Sequence, residues 1–176
     1  MAEERRAEGR AAYVISQLYY YVAAVIGVAL LIGGAVAALF GLRELVLPRE
    51  WESTEGGIRT MLTGAAFALP GLALLWTHLR EARRREGRPF TETFWGASLY
   101  FHLVALISLG FVLIGTIGIL VSFVDVVYRP SAGVDLFQPS RSEALRQMLD
   151  FAIFVVVAGP VFWWHLRRGR RAVGSP

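Results

Sequence analysis

Hydrophobic positions along this chain form four long, nearly unbroken runs, at about 19–42, 58–79, 99–124 and 145–166, separated by short polar tracts. A bilayer core of about 30 Å needs roughly 20 helical residues to cross it, and each run meets that length. The apolar residues run continuously and do not alternate, which excludes barrel strands. A backbone in lipid must satisfy its own hydrogen bonds, so each run is predicted to be a transmembrane helix. The expected fold class is therefore an all-α integral membrane protein with four transmembrane helices.

The second half of the chain repeats the first. At an offset of 81, Tyr19, Ala24, Ile26, Gly34 and Leu39 recur as Tyr100, Ala105, Ile107, Gly115 and Leu120, and Glu44 falls opposite Asp125. At an offset of 87, Arg59, Met61, Leu62, Ala65 and Phe67 recur as Arg146, Met148, Leu149, Ala152 and Phe154. The string Trp76, His78, Leu79, Arg80, Arg83, Arg84 returns as Trp163, His165, Leu166, Arg167, Arg170, Arg171. Each copy holds two spans, so both copies cross the membrane in the same sense and form parallel repeats about an axis along the membrane normal. The predicted organisation is a cytoplasmic segment 1–18, hairpin 19–84, linker 85–98, hairpin 99–171 and tail 172–176.

Charge sets the orientation. All 18 basic residues are arginine: twelve lie on the N-terminal, middle-loop and C-terminal segments, against six on the other two loops. The positive-inside rule places both termini and the loop from Arg80 to Gly96 in the cytoplasm, giving a multi-pass inner-membrane protein. The first eighteen residues mix Glu3, Glu4 and Glu8 with Arg5, Arg6 and Arg10 and lack the form of a cleaved signal. A hydrophobic content of 55% agrees with the bilayer as solvent. With no cysteine, the chain has no disulfide, no cysteine-ligated zinc or iron–sulfur cluster and no thiol nucleophile. With no lysine, it has no Schiff base and no phosphate-loop lysine. The arginines flank the spans and do not build one basic face, so no nucleic-acid partner is expected.

The doubled hairpin, with an aromatic-rich first span and a second span closing on Trp-x-His-Leu-Arg, resembles the bacterial membrane domain of unknown function 5671. The resemblance runs from about Tyr19 to Arg171. It implies a four-helix bacterial membrane domain and brings no activity or catalytic residues with it.

Candidate chemistry is sparse. His78, His102 and His165 lie at the cytoplasmic span ends among Trp76, Trp95, Trp163, Trp164, Tyr19, Tyr20, Tyr21, Tyr100 and Phe101. Such a layer suits an interfacial belt. No cofactor is expected; the alternative is haem b held between the repeat-related His78 and His165, which a pseudo-twofold would place symmetrically. No metal site is expected.

Asp150 lies inside the fourth span, and Arg146, four residues earlier on the same face, is its expected intramembrane partner. Glu44 with Arg59, and Asp125 with Arg146, are expected to clasp the outer loop of each hairpin, worth about 0–1 kcal/mol each at an exposed boundary. Ser140 with Glu143 has capping-box spacing for the fourth helix. Pro70 and Pro160 predict kinks. Small residues at Gly34–Ala38, Ala37–Gly41 and Gly118–Ser122 are spaced for close helix approach.

The functional expectation is a non-catalytic accessory, scaffold or assembly subunit, with the lipid bilayer as its surroundings and a second copy or another membrane subunit as partner. The loops are too short for a soluble catalytic domain, so no enzyme is expected. Its rivals are the haem-binding electron carrier and an oligomeric channel or transporter subunit with Asp150 on the path.

Overall fold

The structure is a computed structural model, and it describes residues 2–48, 52–86, 95–128 and 141–173. Those residues form four helices: α1 (Ala2–Val46), α2 (Thr54–Glu86), α3 (Trp95–Tyr128) and α4 (Arg141–Val173). Each predicted span lies inside one of them, and all four are long and apolar enough to cross a membrane. The helices overrun the predicted spans at both ends. The largest difference is at the N-terminus, where the polar segment joins the first span in one helix of 45 residues. Alanine, glutamate and arginine favour helix strongly, so the chain has no reason to break before the apolar run begins.

The helix ends follow local chemistry. Pro48 follows α1 and cannot continue it, and the Leu47 amide still donates to the Arg43 carbonyl at 2.8 Å. Ser53 caps α2: its hydroxyl oxygen accepts from the Gly56 amide at 3.0 Å. The cap expected from Ser140 lies outside the described residues, and α4 begins at the next position, Arg141. Both α2 and α4 continue through their prolines, and Pro70 and Pro160 are exposed on the bundle surface.

Within the first hairpin the two backbones touch. Gly27, Gly34 and Gly41 on α1 face Gly71, Gly64 and Gly57 on the antiparallel α2. The approach is reciprocal: a methyl group on Gly34 would sit 2.6 Å from the Gly64 carbonyl oxygen, and one on Gly64 would sit 2.6 Å from that of Gly34. Two turns nearer the N-terminus, a methyl on Gly27 would lie 2.7 Å from the Leu75 amide nitrogen. Only glycine permits this. For helices that cross a bilayer, association rests on such close packing and not on the hydrophobic effect. A strict seven-residue spacing on both helices also keeps the seam in register through a left-handed supercoil.

The second hairpin keeps the spacing with other small residues. The repeat offsets carry the α1 glycines onto Ser108, Gly115 and Ser122, and the α2 glycines onto Ala144, Phe151 and Ala158. Ser108, Ser122, Ala144 and Ala158 are buried. Phe151 is the one large residue in the series, and its ring lies where a side chain on Gly118 would be. Gly118 therefore makes room for that ring, a role its spacing to Ser122 does not reveal.

The hairpins dock unequally. The face of α1 bearing Tyr21, Ala24, Val28, Ile32 and Val36 is buried with Tyr100, Phe101 and Val104 of α3. Phe40 of α1 meets Phe154 of α4 edge-on at 5.6 Å between ring centroids, and Phe154 stacks on Phe111 at 6.1 Å. Thus α1 packs on α2, α3 and α4, whereas the α2 backbone does not come close to that of α3 or α4 among the described residues. A twofold would have matched every α1–α4 contact with an α3–α2 contact. The repeats are parallel, as their helix directions require, but the expected pseudo-twofold is corrected to a sideways docking of α1 into the α3–α4 groove.

Candidate functional site

Two clusters of polar side chains lie within the bundle, one near each end. At the end formed by the hairpin turns, Arg43 of α1 holds two carboxylates. Its Nε donates to Asp150 Oδ1 at 2.7 Å, and its Nη1 donates to both Glu52 oxygens at 2.9 Å. The side chains of Arg43 and Glu52 are 9% and 6% exposed. A planar guanidinium can satisfy two carboxylates at once because its donors spread over two edges. The cluster joins three parts of the chain: α1, the turn before α2, and α4.

The partner expected for Asp150 is Arg146 of its own helix, and the structure gives it Arg43 of α1 instead. The carboxylate of Asp150 is aimed across the bundle at Arg43, because docking of α1 brings its last turn level with the first turns of α4. Beside the cluster is an open groove of about 560 Å³, lined among others by Phe40, Glu44, Thr60, Gln147 and Phe154. Glu44, Asp125 and Arg146 are half-buried at this end of the bundle, and Arg59 is exposed.

At the opposite end His165 is buried. Its Nδ1 lies 2.8 Å from the Val161 carbonyl oxygen, which can only accept, so Nδ1 carries the proton. Nε2 then accepts from the Tyr100 hydroxyl at 3.3 Å. Tyr100, Phe101 and Trp164 enclose the ring with centroids 5.6, 5.9 and 4.5 Å away. Arg167 and Arg168 stack on Trp163 and Trp164, at 5.0 and 4.7 Å from the ring centroids. Gln17 is buried one turn before Tyr21 on α1, with no partner for its amide among the described residues.

The repeat is visible here. His78 likewise sets Nδ1 on the carbonyl four residues earlier, that of Leu74, at 2.8 Å. Tyr19, the counterpart of Tyr100, lies 5.7 Å from the His78 ring. The tyrosine–histidine contact thus occurs in both hairpins, but Tyr100 is 1% exposed and Tyr19 is 61% exposed. His102 bonds Ser98 through Nδ1 at 2.7 Å and stays on the surface.

For the haem alternative, His78 and His165 stand on α2 and α4, helices whose backbones do not come close, with α1 packed on both. Both ring nitrogens of His165 are engaged by protein groups. Among the described residues no three histidine or carboxylate side chains gather as a metal site would require. Arg43 and Glu52 are the participants that the sequence reading missed. The available signal was depth: Arg43 closes the first span and Asp150 opens the fourth, so both fall at one level of the bundle.

Two hairpins of long helices, closed by small residues and repeated in parallel, define an all-helical four-helix bundle whose helices are each long and apolar enough to cross a membrane. Domain of unknown function 5671 (DUF5671) matches this chain twice, at residues 17–93 and 98–175, and the chain belongs to that family. The two matches coincide with the two hairpins. No curated protein and no solved structure matches the chain.

Proposed function

We propose that this is a non-catalytic membrane protein, an accessory, scaffold or assembly subunit, inserted in the bacterial inner membrane with both termini in the cytoplasm. The observation that carries this reading is how the bundle uses its polar groups. Arg43 bonds both Glu52 and Asp150, and His165 bonds Tyr100 and its own helix. Meanwhile the outward surface is apolar over long stretches, with Ile26, Leu106, Ile114, Ile117 and Val156 exposed. Such a surface suits lipid or another apolar helix, and it suits water poorly. The twelve-to-six distribution of arginines supports the orientation.

Asp150 distinguishes this reading from a channel. As one arm of an ion pair it locks α4 to α1; as a pathway group it would carry ions. Proteoliposomes holding the purified chain are expected to be as tight to protons, sodium and potassium as empty vesicles. Ion flux in the parent protein that Asp150→Asn abolishes, with the fold intact, would replace the scaffold reading with a conducting one.

A further inference from the structure

Helix α1 occupies a groove on the second hairpin, and the repeat gives the first hairpin an equivalent, more tightly closed face that no helix of the same chain covers at Tyr19, Thr63 and Phe67. In the occupied groove, Tyr21 of α1 meets Tyr100 at 5.8 Å between ring centroids, Phe40 meets Phe154, and Arg43 meets Asp150. The offsets turn each of these contacts into a pair that is not made within one chain. Tyr21 and Tyr100 map to His102 and Tyr19, Phe40 and Phe154 to Val121 and Phe67, and Arg43 and Asp150 to Val124 and Thr63.

All six of these positions are exposed. On the receiving side Tyr19 and Phe67 are 61% and 54% exposed, and on the inserting side Val121 is 58% exposed. Because the docking is not twofold, it uses the inserting face of α1 and the receiving face of hairpin 2 and leaves much of the other member of each kind uncovered, although Ala105 on the one and Ala23 on the other are buried. One molecule therefore carries both halves of the joint it already makes internally, on separate surfaces.

We infer that these two surfaces pair between chains: α3 of one copy lies in the α1–α2 groove of a second copy, as α1 lies in the α3–α4 groove of its own chain. The pairing is head-to-tail, so it propagates until rotation in the membrane plane closes a ring. The arginine–carboxylate pair of the internal joint is replaced by Val124 and Thr63, so the intermolecular joint makes no ion pair at this position. The aromatic end is kept, with His102 arriving beside Tyr19 and the His78 ring. This inference deepens the scaffold reading by naming a second copy as the partner, and it rests on that reading.

The test exploits a chain without native cysteine. Phe67→Cys and Val121→Cys are placed on separate copies, co-expressed and treated in native membranes with a short bis-maleimide; a chain carrying Phe40→Cys and Phe154→Cys, treated alike, reports the internal joint. The expected result is a covalent dimer only when both single variants are present, and a ladder of multiples, ending at the ring size, when one chain carries both substitutions. If the internal pair links but the 67–121 pair stays monomeric, lipid covers these faces and the inference fails. Dimers of Phe67→Cys alone in equal yield would show a symmetric interface and also overturn it. Either failure leaves vesicle tightness unaffected, so it is distinguishable from failure of the scaffold reading.

Discussion

Replacing Gly34 by leucine is expected to separate α1 from α2 and to abolish the compact bundle, whereas leucine at the adjacent Gly33 is expected to leave stability nearly unchanged. A side chain begun at Gly34 meets the Gly64 carbonyl and the backbone of Ala68, while one begun at Gly33 meets nothing within 4 Å. The obstruction at Gly34 is main chain, which cannot change rotamer, so the helices must move apart along the seam. Overpacking in cores costs about 1–3 kcal/mol, and a backbone obstruction belongs at or above the top of that range. The check is the melting temperature and elution volume of the two variants in the same detergent. Equal behaviour of the two would mean that the glycine seam does not hold the first hairpin.

Arg43→Ala is expected to destabilise the bundle by about 3–5 kcal/mol, the usual cost of breaking a buried ion pair from one side. Here two carboxylates lose the same cation. Desolvated charge explains the cost, so removing all three charges together should recover most of it: Arg43→Met with Glu52→Leu and Asp150→Leu is expected to melt close to the parent. Thermal unfolding of the single and triple variants decides the matter. A triple variant as unstable as Arg43→Ala would show that the cluster contributes specific geometry beyond neutralising its own charges.

The features legible in the sequence were those that one hairpin settles alone. Span positions follow from the length of the apolar runs, and the duplication follows from the recurrence of Trp76, His78, Leu79 and Arg80 as Trp163, His165, Leu166 and Arg167. Gly34 and Gly41 were readable as close-packing residues, yet the four-residue spacing drew attention to Ala38 and Ala37. The seven-residue seam appears only once Gly27, Gly34 and Gly41 are set against Gly57, Gly64 and Gly71.

Docking between hairpins was not legible, for a physical reason. In a bilayer the lipid-facing and helix-facing sides are both apolar, so the Val28–Ile32–Val36 face of α1 looks like the Leu109–Leu113–Ile117 face of α3 although only the first is buried. Equivalence of the repeats suggested a twofold, and nothing local argues against one. The partner of Asp150 depended on that docking: along α4 the nearest cation is Arg146, and only the crossing of α1 supplies Arg43. The buried Tyr100 and the exposed Tyr19 show the same limit, since identical residues in equivalent places differ by what the other hairpin brings to them.

The central claim is that the imidazoles and carboxylates of this bundle serve packing and not chemistry. Its most direct test is the absorption spectrum of the detergent-purified protein, produced with ample haem supply and recorded oxidised and dithionite-reduced. The account predicts no visible band in either state. A Soret band with sharp reduced α and β bands, lost in His78→Ala and His165→Ala, would contradict it and make the protein an electron carrier.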